Sequence, residues 1–163
     1  MVRFTDLGVE PTLIDVLREE GIEEPFEVQT KTIPDALDGR DVCCRAPTGS
    51  GKTLAFGIPL VSMSPKAEPK RPTSLILTPT RELAEQIRGV LKPLADSIGL
   101  RTVSVYGGTP YKGQYRRLNK GVEILVACPG RLIDLLERRA LRLDDVGIVV
   151  LDEADRMADM GFM

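Results

Sequence analysis

Beyond residue 73 the chain alternates between two hydrophobic patterns. Short apolar runs, such as Ser-Leu-Ile-Leu and Ile-Val-Val-Leu, are separated by longer segments in which apolar residues recur every three or four positions. The first pattern is typical of a buried strand and the second of an amphipathic helix. Strands are predicted at 74–78, 101–106, 123–127 and 147–151, and helices at 81–98, 111–119 and 131–138. This order predicts an α/β fold in which helices cover both faces of a parallel sheet.

Before residue 73 the same reasoning predicts helices and one further strand. One helix begins at Pro11 and ends near Gly21, and a second spans 28–37. The apolar run 42–44 predicts a short strand, which a glycine-rich turn joins to a helix over 52–61. Residues 62–73 are rich in proline and charge without periodicity, so we expect an exposed connection there.

Composition is that of a soluble globular protein. Of the 163 residues, 42% are apolar and 28% are charged, which fits one domain with its own core. No apolar run reaches the length of a membrane-spanning helix, and the N-terminus lacks the apolar segment of a secretory signal. We therefore expect a cytoplasmic location. The three cysteines do not form a disulfide framework and are expected to be small buried residues.

The absence of histidine and the net charge limit the kinds of functional site that this chain can contain. There is no histidine, which excludes catalytic triads and metal sites that use histidine. The net charge of −2 argues against a basic coat for nucleic acid, so such binding must come from a local cluster. Two basic groups are expected to be solvated helix faces rather than nucleic-acid contacts. They are Arg116, Arg117 and Lys120, and Arg138, Arg139 and Arg142.

Each predicted strand is followed by a cluster of glycine, proline, hydroxyl or charged residues. The clusters lie at 47–53, 79–82, 107–109, 128–131 and 152–155. The carboxyl ends of parallel strands share one edge of the sheet, and open α/β sheets bind their ligands at that edge. The clusters therefore predict a functional site along a single edge.

The first of these clusters, Ala-Pro-Thr-Gly-Ser-Gly-Lys-Thr, resembles a phosphate-binding loop with alanine in its first position. In such a loop, successive backbone N–H groups and the N-terminus of the following helix hold a polyphosphate. Glycine lets the backbone approach the anion closely, Lys52 reaches the outer phosphates, and the Thr53 hydroxyl binds Mg²⁺. The predicted nucleotide-binding residues of the loop are Ala46, Thr48, Gly49, Ser50, Gly51, Lys52 and Thr53.

Two carboxylates follow the apolar run that ends at Leu151. Asp152 is placed to hold hydrated magnesium beside the phosphate loop, and Glu153 to orient or deprotonate an attacking water. Together with Lys52 they are the predicted catalytic residues. The alternative is a solvated acidic turn, because carboxylates favour the start of a helix. The phosphate loop one hundred residues upstream makes the catalytic interpretation the stronger one.

Residues 152–155 read Asp-Glu-Ala-Asp, and with the other clusters they make the chain similar to the first RecA-like domain of a DEAD-box RNA helicase. The resemblance covers nearly the whole chain. It implies a RecA-like three-layer sandwich with a mostly parallel sheet, ATP and Mg²⁺ as cofactors, and a role for Asp155 in coupling between motifs or domains. It also implies that Phe4 stacks on adenine and that Gln29 hydrogen-bonds the edge of the base. On the residues alone, Phe4 could equally be a hydrophobic staple and Gln29 a surface residue of a helix.

The same resemblance assigns three clusters to a groove for single-stranded RNA. Arginines there can bind phosphates, and glycines let the backbone come close, so the binding would not depend on base sequence. The implied RNA-binding residues are Pro79, Thr80, Arg81, Gly108, Pro129, Gly130 and Arg131. The chain departs from the family pattern at Cys128, where threonine is usual, and at Phe26, where threonine or serine is usual. Pro79 and Arg81 could also be a plain helix start with a solvated arginine.

Family members continue to a Ser-Ala-Thr motif and a second RecA-like domain, neither of which occurs within residues 1–163. The resemblance therefore implies an incomplete first domain, truncated at its C-terminus, with little ATPase activity and no unwinding on its own. In the family the Ser-Ala-Thr strand lies between the phosphate-loop strand and the acidic-motif strand. We therefore expect a gap in the middle of the sheet and self-association through exposed strand edges. Two alternatives remain: a non-enzymatic module that binds nucleotide, RNA or a protein partner, and a DNA helicase or translocase.

Overall fold

The computed structural model describes residues 1–47 and 51–161. Its centre is a parallel sheet with the strand order β2-β3-β1-β4. The strands are β1 (Ser74–Leu77), β2 (Thr102–Val105), β3 (Ile124–Ala127) and β4 (Ile148–Leu151). All three strand pairs are parallel, so every strand ends at the same edge of the sheet.

Helices connect the strands and precede them. They are α1 (Pro11–Glu19), α2 (Glu27–Leu37), α3 (Lys52–Met63), α4 (Arg81–Ser97), α5 (Tyr111–Lys120), α6 (Pro129–Glu137) and α7 (Ala154–Asp159), after a 3₁₀ turn at Phe4–Leu7. The predicted α/β fold with a parallel sheet is confirmed, and most element ends agree within one or two residues. Helix α6 begins at Pro129 rather than at residue 131, because proline is well suited to the first helical position.

Alternate residues of the two inner strands, β1 and β3, enter two separate cores, as expected for a strand buried on both faces. Ile76 and Val126 pack against α1, α2, α3 and α4 on one face of the sheet. Leu75 and Leu125 pack against α5 and α6 on the other face. The result is a three-layer sandwich of helices, sheet and helices. No helix in the described ranges is long and apolar enough to span a membrane.

The predicted strand at 42–44 is wrong. Residues 41–47 adopt no regular secondary structure, and 43% of the Val42 surface is exposed. The expectation that the cysteines are buried is also wrong, since Cys43 is exposed and Cys44 and Cys128 are half-buried. The strand at 42–44 does not form because a strand needs a neighbouring strand to bind its backbone N–H and C=O groups. Within the described residues, 42–44 has no such neighbour.

Strand β4 lies at one end of the sheet. It pairs with β1 on one side, and no strand in the described parts of the chain lies along its other side. Its apolar side chains are only partly covered, with Val149 55% exposed and Leu151 45% exposed. Strand β4 is therefore an open edge that carries exposed apolar residues.

A buried carboxylate ties the long connection after α3 to the sheet. Glu123 has no exposed surface and immediately precedes β3. Its carboxylate accepts hydrogen bonds from the backbone N–H groups of Arg101 (2.7 Å) and Ala67 (2.9 Å), and from Nη2 of Arg101 (2.8 Å). Burial acts to raise the pKa of Glu123, but these hydrogen bonds outweigh it and lower the pKa to about 2. Glu123 is therefore a charged structural link between three segments.

Candidate nucleotide site and nucleic-acid interface

The carboxyl edge of the sheet brings the phosphate loop and the acidic cluster together. Lys52 opens α3, and Asp152 directly follows β4. Lys52 Nζ lies 3.3 Å from Asp152 Oδ1, and the Asp152 side chain is only 8% exposed. The backbone N–H of Asp152 donates to the carbonyl of Leu77 (2.9 Å), which fixes the carboxylate relative to β1. A cation suited to phosphate and a carboxylate suited to a metal ion therefore meet at one point.

The start of α2 is bonded to the end of the loop. Gln29 is 2% exposed; its side-chain N–H₂ donates to the carbonyl of Gly51 (3.1 Å), and its side-chain oxygen accepts from the N–H of Phe26 (2.9 Å). Gly51 has φ +83°, and a Cβ atom there would lie 2.6 Å from Cδ2 of Phe26 and against the Gln29 amide. Only glycine fits at this position without displacing those side chains. The predicted adenine-recognition residue Gln29 is thus joined directly to the phosphate loop.

The remaining predicted nucleotide-binding residues lie in different environments. Phe4 is 2% exposed and packs in the core, so its stacking on adenine stays a prediction. Ala46 and Thr53, the first and last residues of the predicted loop, are both half-buried. Thr48, Gly49 and Ser50 lie outside the described residues.

The donor atoms beside Lys52 fit magnesium. Asp152 offers a nearly buried carboxylate, and Thr53, next to Lys52, offers a hydroxyl oxygen. Magnesium prefers oxygen ligands and is usually bound by one or two carboxylates, with substrate phosphates and water completing its shell. In residues 1–47 and 51–161 no group of three or more His, Cys, Asp or Glu side chains could hold a metal ion. The donor set is therefore of the kind that binds magnesium together with a nucleotide.

Glu153 turns the chain from β4 into α7. Its backbone is left-handed, with φ +56°, which is uncommon for a residue other than glycine. Its carboxylate is 3.5 Å from Nη1 of Arg156. Asp155 is exposed, and its side chain accepts from the backbone N–H of Arg156 (3.0 Å). The catalytic role of Glu153 and the coupling role of Asp155 stay predictions.

The cluster after β1 forms the start of α4. Pro79 is buried, and Thr80 caps the helix, since its hydroxyl accepts from the N–H of Leu83 (3.2 Å). Arg81 is exposed, and its guanidinium lies 5.1 Å from the centre of the Tyr106 ring, within the range of a cation–π interaction. Arg81 therefore presents its charge at the surface above Tyr106.

Arg131 is held in place by Thr109, Gln114 and Tyr111. The sequence had not assigned a role to any of these three residues. Nη1 of Arg131 donates to the carbonyl of Thr109 (3.0 Å) and to the side-chain oxygen of Gln114 (3.1 Å). Its guanidinium also stacks 4.1 Å from the centre of the Tyr111 ring. The sequence offers no signal for Gln114 or Tyr111, because both contacts join residues far apart along the chain.

The loop after β2 links the two arginines. Gly108 has φ +82°, and a Cβ atom there would lie 3.9 Å from Nη1 of Arg81. Thr109, the next residue, binds Arg131. The clusters after β1, β2 and β3 therefore converge on one surface, which contains most of the predicted RNA-binding residues. The exposed Gly130 precedes Arg131 in α6, and buried Pro129 opens that helix.

Cys128 occupies the cap position of α6 but makes no side-chain cap. Burial raises the pKa of its thiol to about 11, and the nearby carboxylate of Glu82 acts in the same direction. The thiol therefore stays protonated and neutral at physiological pH. At the equivalent cap position of α4, by contrast, the Thr80 hydroxyl accepts a hydrogen bond from a backbone N–H of the helix.

Comparison with known proteins agrees with this arrangement. A family model described as "DEAD/DEAH box helicase" matches residues 26–163. The chain is 50% identical over 167 residues to DEAD-box ATP-dependent RNA helicase 5 of Arabidopsis thaliana, covering 98% of the chain and 31% of that protein. It is 46% identical over 164 residues to the mitochondrial DEAD-box ATP-dependent RNA helicase 9 of the same plant, covering 98% of the chain and 27% of that protein. The chain thus spans about a third or less of the length of these relatives.

Solved structures give the same result. The fold is similar to that of the RNA helicase Prp28 from Chaetomium thermophilum bound to ADP, with a TM-score of 0.91 and 42% identity over 99% of this chain and 41% of that one. It is equally similar to a DEAD-box protein from Methanococcus jannaschii, with a TM-score of 0.91 and 36% identity over 100% of this chain and 44% of that one. The sheet is therefore that of a RecA-like helicase domain, and the chain belongs to the DEAD/DEAH box helicase family.

Proposed function

We propose that this chain is the ATP-binding half of an ATP-dependent RNA helicase or RNA-remodelling ATPase. The observation that carries the proposal is the 3.3 Å contact between Lys52 and the nearly buried Asp152 at the carboxyl edge of the sheet. The solved structure of Prp28, which has a similar fold, is bound to ADP, and this supports nucleotide binding by the present chain. ATP is the proposed substrate, and Mg²⁺ is the proposed cofactor.

In this proposal the ion pair between Lys52 and Asp152 breaks when ATP binds, and each side chain binds part of the nucleotide site instead. Lys52 moves from Asp152 to the outer phosphates, while Thr53 and Asp152 are the residues that would hold magnesium. Magnesium bound there would neutralise charge that develops on the phosphates. Glu153 orients the attacking water and accepts its proton.

The proposed RNA site is the surface formed by the clusters after β1, β2 and β3. Arg81 and Arg131 provide cationic groups for phosphates, and Gly108 leaves room for the backbone of the strand. Contacts of this kind position a strand without reading its bases. Binding is therefore expected to depend strongly on salt and weakly on RNA sequence.

The wider assembly is also part of the proposal. A second RecA-like domain would complete the ATP site and the RNA groove, and residues 1–163 would then be an incomplete first domain. The length of the relatives, of which this chain spans 27% and 31% in two cases, leaves room for such a domain. The cytoplasmic location expected from the sequence stays a prediction, and one relative is named as mitochondrial.

The proposal is tested by the effect of magnesium on ATP binding in the Asp152→Asn variant. Removing the carboxylate charge leaves magnesium without its main protein ligand and frees Lys52 to bind phosphate without a competitor. Excess Mg²⁺ is expected to tighten ATP binding by the wild-type chain about tenfold relative to EDTA, and to leave the variant unchanged within about twofold. Equilibrium fluorescence titration with a labelled ATP gives both affinities.

The matched control is Asp159→Asn, because Asp159 is exposed at the end of α7. It should keep the full magnesium effect. An undiminished magnesium effect in Asp152→Asn would contradict the assigned metal ligand. A wild-type chain that does not bind ATP would overturn the proposed function.

We also infer that the chain self-associates through the open edge at β4. Replacing Val149 and Leu151 by lysine should prevent this, because charged side chains on an edge strand oppose pairing with another chain. In sedimentation velocity, the wild-type mass should rise with concentration while the double variant stays monomeric. Lysine at Val90 and Ile133, which are exposed on helices, is the control and should leave association intact. A wild-type chain that is monomeric at all concentrations would contradict the inference.

A further inference from the structure

Helix α5 carries an unusual set of charges. Its sequence, Tyr-Lys-Gly-Gln-Tyr-Arg-Arg-Leu-Asn-Lys, contains four cations and no carboxylate, in a chain whose net charge is −2. Lys112 lies in the first turn, where the helix macrodipole disfavours a positive charge. The dipole disfavours Lys112 but favours Arg117 and Lys120, which lie in the last turn. Repulsion between cations three or four residues apart acts against the helix, so helix stability does not explain the whole set.

The cations of α5 are not neutralised by neighbouring carboxylates. In the part of the chain that the structure describes, none of the four takes part in a salt bridge. The second basic group is different, since Arg138 pairs with Asp134 at 3.2 Å and Arg142 pairs with Asp144. Arg138 and Arg142 are thus both exposed and ion-paired, whereas the cations of α5 are exposed without a paired carboxylate among the described residues.

Packing fixes which side of α5 faces the solvent. Gln114 and Leu118 are buried against the body of the domain. Tyr111 and Tyr115 face α6, where Arg138 lies 4.0 Å from the centre of the Tyr111 ring and donates to the Tyr115 hydroxyl (3.3 Å). Every cation of α5 is exposed. Lys112 and Arg116 are four residues apart and so lie on one face of the helix.

Three of these cations border a cavity of about 820 Å³ between α4, the edge strand β2 and α5. Lys112, Arg116 and Arg117 line it, together with the carboxylate of Glu85. Glu85 is already engaged, since it accepts from the hydroxyl of Ser104 (2.5 Å), the hydroxyl of Tyr106 (3.0 Å) and Arg88. The hydrogen bond from Ser104 is the main cause that lowers the pKa of Glu85. The three α5 cations are therefore available to an anionic ligand.

The cavity is continuous with the proposed RNA surface. Thr109 and Gln114 line it, and both hold Arg131 through Nη1, at 3.0 and 3.1 Å. Tyr106, over which Arg81 lies, also lines it. A strand whose phosphates are bound at Arg81 and Arg131 thus lies next to the basic side of α5. This continuity favours RNA over an acidic protein segment as the ligand.

We propose that α5 extends the RNA site: Lys112, Arg116 and Arg117 bind backbone phosphates of nucleotides beyond those held at Arg81 and Arg131. The proposal rests on the proposed function, because it takes the strand from that surface. It replaces the expectation, drawn from the sequence, that Arg116 and Arg117 are only solvated. The extension makes no contacts to bases. The affinity for RNA should therefore rise with the length of the strand and should not depend on its base sequence.

The test compares a short and a long oligouridine, of about 6 and about 15 nucleotides, by fluorescence anisotropy. The triple variant Lys112→Gln, Arg116→Gln and Arg117→Gln is expected to bind the short RNA as the wild type does. It should bind the long RNA about 10- to 100-fold more weakly, and the slope of log affinity against log salt should fall by about 2, since each lost phosphate contact on a single strand removes about 0.7. Thermal melting checks that the variant is folded.

The matched control removes three ion-paired cations elsewhere, by Arg18→Gln on α1, Lys31→Gln within α2 and Arg40→Gln just after α2. A long RNA that binds no more tightly than the short one would overturn the inference. So would an α5 variant that loses no more affinity than the control. If the α5 variant instead loses binding of polyglutamate and keeps the long RNA, the surface serves an acidic protein and the inference is wrong.

Failure of the proposed function has a different signature. Arg131→Gln should weaken the short RNA as well as the long one. If the wild type does not bind the short RNA, or if Arg131→Gln leaves its affinity unchanged, the proposed RNA surface is wrong, whatever the α5 variant does.

Discussion

Replacing Lys52 by alanine is expected to weaken ATP binding about 100-fold. Lys52 opens α3, and its ammonium group is the cation that meets Asp152 at 3.3 Å. A hydrogen bond to a charged group contributes about 1.5–3 kcal/mol, and 1.4 kcal/mol corresponds to a factor of ten in affinity. The upper part of this range applies because both partners of the proposed bond, the ammonium group of Lys52 and the phosphate, carry full charges. Titration with a labelled ATP in excess magnesium measures the loss.

The control for this experiment is Lys31→Ala. Lys31 is 74% exposed and pairs with Glu27 on the surface of α2, so its removal should leave ATP affinity unchanged. The variant Lys52→Arg keeps the charge and should lie between the wild type and alanine. If Lys52→Ala loses no more affinity than Lys31→Ala, the loop does not bind phosphate in the way proposed.

Replacing Glu123 by glutamine is expected to lower the free energy of unfolding by about 3 kcal/mol at pH 7. The pKa of Glu123 is lowered from 4.5 to about 2, and one pKa unit corresponds to about 1.4 kcal/mol of preference for the charged form. Glutamine keeps the shape but brings an N–H₂ group towards the donors of Arg101 and Ala67. Urea denaturation measures the difference, and Glu137→Gln, at an exposed position of α6, should cost nothing measurable.

The same carboxylate predicts how stability changes with pH. Because the folded-state pKa lies below the ordinary value, Glu123 stabilises the fold fully above pH 4.5, and this contribution is lost as the pH falls towards 2. The difference between wild type and Glu123→Gln should therefore be constant from pH 7 to about pH 5 and should shrink below that. A constant difference down to pH 3 would contradict the assigned role.

The sheet could be predicted from the sequence because its strands carry short apolar runs or apolar residues at alternate positions, between helices of a different period. Ile148 to Leu151 is apolar at every position, and the strand forms where expected. The run at 42–44 is equally apolar, yet it forms no strand. Local composition cannot reveal this difference, because a strand depends on a partner that sequence pattern alone does not supply.

The site could be predicted as far as it depends on topology. Lys52 and Asp152 are one hundred residues apart, and the structure places them in contact. Asp152 lies at the carboxyl edge because it directly follows β4, whereas no strand of the described sheet precedes Lys52. The side-chain contacts that hold the site residues in place cannot be predicted from the topology of the sheet. The bond from Gln29 to Gly51, and the groups around Arg131, depend on side chains that meet across different elements. Such contacts become visible only once the chain is folded.

The three groups around Arg131 bear on the entropy of RNA binding. A free arginine side chain loses up to about 2 kcal/mol of rotational freedom when it is immobilised. Stacking on Tyr111 and bonding to Thr109 and Gln114 immobilise Arg131 when the domain folds. Arg131 therefore loses this side-chain entropy when the domain folds, and RNA binding does not have to supply it. A guanidinium oriented in advance can bind a phosphate tightly at one point while the rest of the strand stays free to slide.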